Sequence, residues 1–222
     1  MLKEKLDFVT GPGGLRAAIY FGLKLITRIE AFRVVSTLTR SSASLDLPTG
    51  WRYLGLHTAE ELAGQPTDFI NQVAEQCGSS PKQLIEQGGS LHLLVSADSL
   101  VAQLSIDRGP ECQIDSPPLV LTMAGTDAFL SYLYTWPSYR RRAAARYLIA
   151  ATVNDLSTRD TRRVLAHVRA TNVPSLAAFE NANWQTCATI LCSLSGRLLT
   201  VPGAKKAGLS FNSAISSPTS SV

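Results

Sequence analysis

Tyr134-Thr135-Trp136-Pro137-Ser138-Tyr139-Arg140-Arg141-Arg142-Ala143-Ala144-Ala145-Arg146 is the stretch on which the reading of this chain turns. An aromatic, β-suited run over residues 128–136 stops at Pro137, which cannot donate to a sheet ladder. Residues 143–156 have the composition of a helix. A strand, a short loop and a helix start thus follow one another closely. The first amides of a helix have no partner within it and carry partial positive charge, so such a turn is a ready anion site. Four arginines add charge-assisted donors, and the alanines leave the backbone approachable. A solvated basic helix start has the same composition, and the stretch by itself does not separate the two.

Outward from this turn the pattern continues to alternate. Downstream, a strand is predicted over 164–168, a helix over 175–182, and a closing hairpin from 187–194 and 197–201. Upstream, residues 119–123 read as a strand, and 91–95 with 100–106 as a hairpin joined at 96–99. Residues 51–56 are the first strand of this block. Thr58 is a helix N-cap, with Glu61 three residues later completing a capping box, and further helices fit 67–76 and 81–87. The order predicts an α+β sheet with a parallel crossover.

The flanks read differently. Leu15, Ile19, Leu23, Ile26 and Ile29 make a helical stripe within residues 15–35, expected to pack on the domain; peripheral membrane contact through this segment is the less favoured alternative. Gly11-Pro12-Gly13-Gly14 lacks the Lys-Ser/Thr pair of a phosphate loop and reads as a turn. Residues 1–50 are therefore expected to be an N-terminal helical extension and linker, and 51–201 the main domain. Residues 202–222, rich in Ser, Ala, Gly and Lys, are expected to be a disordered tail.

Composition narrows the function. At 222 residues, with 45% apolar and 17% charged, the chain is a folding protein rather than a solvated coil. A net charge of +4 suits a polyanion, but the arginine cluster is compact and lacks aromatics interleaved over a broad face, so no nucleic-acid partner is expected. Cys77, Cys112, Cys187 and Cys192 form no CxxC pair and have no spaced histidines, so no metal is expected and the thiols read as reduced. No apolar run reaches the length of a membrane helix, and no leader-like segment opens the chain. A cytoplasmic location is the expectation.

Arg140-x-x-Ala143-x-Ala145 resembles the Arg/Gln-x-x-Gly-x-Gly/Ala pyrophosphate loop of the GNAT acetyltransferases. His167-Val168-Arg169-Ala170-Thr171-Asn172, followed by Ser175, Phe179, Glu180 and Trp184, is similar to that family's strand–Asn–helix segment. The resemblance implies a mixed, mostly antiparallel sheet with a central parallel strand pair and flanking helices. It implies acetyl-CoA, or another acyl-CoA, as co-substrate of an N-acyltransferase, with a small-molecule or peptide amine as acceptor. The pyrophosphate would rest on Arg140, Arg141, Arg142, Ala143, Ala144, Ala145 and Arg146. Leu133, Tyr134 and Thr135 would offer main-chain partners to pantetheine, with Asn172, Ser175 and Phe179 on the other side.

In the ribosomal-protein acetyltransferase branch a Glu precedes the matching Val, and His167 holds that place before Val168. His167 is thus the expected general base, with Tyr132 as an alternative proton donor. Two residues depart from the pattern: Ala143 replaces the first loop glycine, and Phe179 replaces the tyrosine that often protonates the leaving thiolate. These departures leave a second reading, a non-catalytic member of the fold that binds acyl-CoA or a protein.

Overall fold

The computed structural model describes residues 28–41, 46–97, 99–114 and 117–213. Its strands are β1 (Ile29–Leu38), β2 (Trp51–Leu56), β3 (Ser90–Ser96), β4 (Ser99–Arg108), β5 (Glu111–Ile114), β6 (Leu119–Thr122), β7 (Asp127–Thr135), β8 (Arg163–Arg169), β9 (Gln185–Ser193), β10 (Leu198–Thr200) and β11 (Ser210–Ser213). The helices are α1 (Ala59–Ala63), α2 (Thr67–Ala74), α3 (Pro81–Glu86), α4 (Ala144–Ser157) and α5 (Val173–Glu180).

Eight strands form one sheet in the order β10-β9-β1-β8-β7-β4-β3-β2. Among the described residues only β7 and β8 run parallel, joined through α4; every other neighbouring pair in this sheet is antiparallel. This is the expected α+β architecture. The helix α4 lies across one face, where Leu148, Ile149, Val153 and Leu156 pack with Leu104, Ile106, Leu130 and Ala166. Each such fully buried aliphatic side chain contributes roughly 1.5–3 kcal/mol. On the opposite face, Phe32, Phe129, Leu165 and Ile190 pack against Leu119 and Leu121 of a three-stranded sheet, β11-β6-β5. Nearer β2, the same face of β3 carries Leu91, Leu93 and Val95 under α2 and α3.

Local rules account for several element ends. Thr58 caps α1 through the amide of Glu61, whose carboxylate in turn accepts from the Thr58 amide, closing the capping box. Ser80 caps α3 in front of Pro81. Gln103, fully buried on β4, donates its amide to the carbonyls of Val73 and Gln76 and so satisfies the end of α2.

The flanks depart from the sequence reading. Residues 29–35 are not helical: they belong to β1, which is hydrogen-bonded to β8 on one side and β9 on the other. The helical stripe ends at Ile29, and beyond it Phe32, Val34 and Val35 suit a strand whose two faces are both covered. Residues 15–27 lie outside the described residues. The expected tail is ordered through Ser213: Ala204 and Leu209 are buried and β11 pairs with β6. The strand β5 was also not anticipated, since four residues with alternating burial give little periodicity to read.

Candidate functional site

The parallel pairing of β7 and β8 runs from Asp127/Arg163 to Leu130/Ala166 and no further among the described residues. A bulge accompanies its end. Ile106 of β4 faces Leu130, while Ser105 faces Tyr132, leaving Ser131 as the extra residue on β7. Beyond the bulge β7 stays paired with β4 through Thr135, and β8 stays paired with β1 through Arg169. Beyond Leu130 and Ala166 the two strands face each other across this gap without a shared ladder among the described residues. Between them lies a cleft of about 160 Å³, lined by Ser131 and Leu133 of β7, by His167 and Arg169 of β8, and by Ser175 and Phe179 of α5.

The basic turn stands at the end of β7. Pro137–Tyr139 form a single 3-10 turn, after which Arg141 has φ +63° and Ala143 φ +58°. Ala143 is the N-cap of α4 and adopts the left-handed conformation despite its methyl group, at a cost of about 1–2 kcal/mol. The helix ladder begins only with the Tyr147 amide, which donates to the Ala143 carbonyl, so the amides of Ala144, Ala145 and Arg146 have no intrahelical partner. Ala144 is buried and anchors the start of the helix, while Arg140, Arg141, Arg142, Ala143 and Arg146 are exposed.

Aromatic rings hold two of the arginines near the turn. Arg140 lies over Tyr134 at 5.9 Å and donates from Nε to the Thr135 carbonyl at 3.2 Å. Arg142 lies over Tyr139 at 5.7 Å. Trp51 meets Tyr139 and Tyr147 edge-on, each at 6.1 Å, tying the turn to β2.

His167, half-buried, stacks on Phe129 at 5.7 Å and meets the tilted ring of Phe32 at 5.9 Å. Asn172 is the N-cap of α5, and its Oδ1 accepts from the Ser175 amide at 3.2 Å, so what it offers the cleft is its NH₂ group. Phe179 is buried against Trp184 at 4.8 Å while one side borders the cleft. His167, Leu133, Asn172, Ser175 and Phe179 therefore converge on one cleft.

Tyr132 does not line that cleft. The bulge turns it to a larger cavity of about 560 Å³ between β4, β5, β7 and the loop joining α2 to α3. Its ring fills the space above Gly78, where a Cβ would come within 1.7 Å of Tyr132 Cε2. Ser131 lines both cavities, a position that sequence reasoning missed. A small polar residue inside the run Phe129-Leu130-Ser131-Tyr132-Leu133 was its only sign. The larger cavity also carries Asp107, Glu111 and Arg108, the last of which donates to Thr161 Oγ1 at 2.8 Å.

The acetyltransferase (GNAT) family model matches residues 58–184. Among solved structures, the chain resembles a GCN5-related N-acetyltransferase from Kribbella flavida, at 12% identity over 72% of this chain and 55% of that one, with a TM-score of 0.50. A GCN5-related N-acetyltransferase from Sphaerobacter thermophilus is similar at 13% identity over 77% and 54%, also with a TM-score of 0.50. A GNAT-family protein from Novosphingobium aromaticivorans gives 16% identity over 73% and 62%, with a TM-score of 0.49. The chain thus spans between 54% and 62% of the length of these proteins. No curated protein matches it. At such identities the likeness speaks to the fold alone.

Proposed function

Since the chain belongs to the GNAT acetyltransferase family, we propose that it is an acyl-CoA-dependent N-acyltransferase, most simply an acetyltransferase, in which an amine attacks the thioester directly. The observation that carries this reading is the cleft between β7 and β8 opening beside a turn of unpaired helix amides and clustered arginines. Acyl-CoA supplies the activated acyl group. The residues of this chain bind, align and move protons.

In this reading the turn from Arg140 to Arg146 holds the pyrophosphate through its amides and guanidinium groups. The free edge of β7 at Leu133, Tyr134 and Thr135 takes the pantetheine arm as an added strand, with Asn172 and Ser175 across from it and Phe179 as the apolar floor. His167 removes a proton from the amine, whose nitrogen then bonds to the acyl carbon as the carbon–sulfur bond breaks. The departing thiolate takes a proton from water, since Tyr132, the tyrosine expected to donate it, faces the larger cavity and not this cleft.

The larger cavity is the acceptor side of this scheme. Asp107 and Glu111 outnumber Arg108 on its wall, which favours an acceptor that arrives as a cation, a small molecule or peptide bearing an amine. The four cysteines are free thiols, which supports a reducing compartment, the cytoplasm, as the place of reaction.

Calorimetry of coenzyme A with the wild-type chain and with Arg140→Glu combined with Arg142→Glu tests the site. Binding should weaken with salt and fall in the double variant. Unchanged affinity in a folded double variant would sink the assignment. Phe179 favours a second reading: a buried phenylalanine beside the cleft cannot donate a proton, so the chain binds acyl-CoA without turnover. Binding without free-thiol release across a panel of amines and peptides would select it.

A further inference from the structure

The loop after β2, the strand β3 and the helix α4 bring to one point three side chains that lie far apart in the sequence. His57 Nε2 lies 2.8 Å from Asp155 Oδ2, and His92 Nδ1 lies 3.8 Å from the same oxygen. All three ligand atoms fall within 4.8 Å of one another. The side chains are 10%, 0% and 19% exposed for His57, His92 and Asp155. The Tyr53 hydroxyl closes the group, 2.5 Å from His92 Nδ1.

Hydrogen bonds tie His92 to Tyr53 and Ser90, yet at the centre of the group His57 Nε2 and Asp155 Oδ2 are buried and meet at ion-pair distance without a well-aligned hydrogen bond. Buried polar atoms left in this state call for an explanation, an ion among them. The glycine beside them is a second, independent observation. A Cβ on Gly55 would lie 2.9 Å from His57 Nε2, 3.3 Å from the Tyr53 hydroxyl oxygen and 3.5 Å from Asp155 Oδ2. Donor atoms from three residues thus surround a small volume that a glycine keeps open.

The neighbours orient the donors as they do around metals. Ser90 Oγ lies 2.8 Å from His92 Nε2; with Ser90 accepting from Nε2–H, the Nδ1 lone pair faces the cluster, where it accepts from the Tyr53 hydroxyl. Arg159 engages the other oxygen of Asp155, at 3.4 Å, and leaves Oδ2 for the centre. Ligands about 2.0–2.1 Å from a tetrahedral ion stand roughly 3.3 Å apart, between the His57–Asp155 and His92–Asp155 separations, whereas the Tyr53 hydroxyl, now 2.5 Å from His92 Nδ1, has to move outward to join them.

We propose that His57 Nε2, His92 Nδ1 and Asp155 Oδ2 form a binding site for a divalent transition-metal ion, zinc in the first instance, with the Tyr53 hydroxyl at the fourth position. Two imidazoles and a carboxylate are a donor set suited to that ion. Asp155 lies eleven residues beyond Ala144, about 16 Å along the helix from the basic turn. The ion is therefore a staple joining β2 and β3 to α4, and takes no part in acyl transfer.

Chelator-treated full-length protein titrated with zinc(II) should bind one ion and melt at a higher temperature. Cobalt(II) in its place should give the visible bands of a tetrahedral N/O site without a thiolate charge-transfer band. His57→Gln removes one ligand at the outer side of the cluster, and Gly55→Ala keeps every ligand while filling the space between them. Each should lower zinc affinity about tenfold or more, with coenzyme A affinity unchanged. Absence of zinc binding in the wild type, a thiolate band with cobalt, or undiminished affinity in both variants would overturn the proposal.

Discussion

The His167 imidazole stacks on the Phe129 ring across the parallel strand pair, with centroids 5.7 Å apart and planes inclined by 16°. Phe129 is paired in register with Leu165, two residues before His167 on the same face of β8. The contact forms just where the pairing ends, so it fixes the imidazole at the mouth of the cleft. A base held there by packing can reach a proton on an amine. His167→Gln should then lower acylation about 10²–10⁴-fold while coenzyme A affinity barely changes. The wild-type rate should fall on acidification, because a protonated ring cannot accept the amine proton. Wild-type turnover and an unchanged acid limb in the variant would make His167 structural and move attention to Tyr132.

Ala143 pays for its left-handed backbone, and glycine adopts φ +58° at no steric cost. Ala143→Gly should leave thermal stability equal or higher and should tighten coenzyme A binding or keep it the same, since the exposed methyl no longer borders the amides. A tenfold gain would correspond to about 1.4 kcal/mol. A loss of affinity in the folded variant would mean that the methyl is part of the ligand surface.

The position of β1 inside the sheet predicts more than a modest loss on truncation. With β8 on one side and β9 on the other, removal of residues 1–38 leaves two strand edges and two apolar faces uncovered. The truncated chain should show no cooperative melt. In the full chain, Phe32→Ala should cost about 3–5 kcal/mol in denaturant titrations. A cooperative transition in the truncated protein near the wild-type midpoint would refute the central role of β1.

Burial pushes the Cys112 thiol up to about 12, from an ordinary value of 9.0, and the charge of Asp107 pushes the same way. The folded state therefore holds this proton more firmly than the unfolded state. The stabilisation is complete below about pH 9 and is lost as pH rises toward 12. Compared with Cys112→Ala, the wild type should lose stability more steeply over that window, and its Cys112 should react with disulfide reagents only on unfolding. Identical alkaline slopes, or rapid labelling of native Cys112, would count against this.

From Trp51 to Thr200 the elements were largely legible, because their signals are local. The capping box at Thr58 and Glu61, the alternation of β3 and β4, and the stop at Pro137 before the alanine-rich start of α4 each act within a few residues. Other features were settled only when distant segments met. Residues 29–35 became a strand because β8 and β9 offer free edges on both sides, a condition that helical spacing near the N-terminus cannot express. Residues 202–213 are ordered because β6 and the core beneath Ala204 and Leu209 supply partners. The bulge at Ser131 depends on the register with β4, and it is what separates Tyr132 from His167. His57, His92 and Asp155 show no ligand spacing along the chain, since a loop, a strand and a helix bring them together through the packing of α4 on β2 and β3. Local chemistry is written in neighbouring residues; the company a side chain keeps across a sheet is decided by which apolar faces must be covered together.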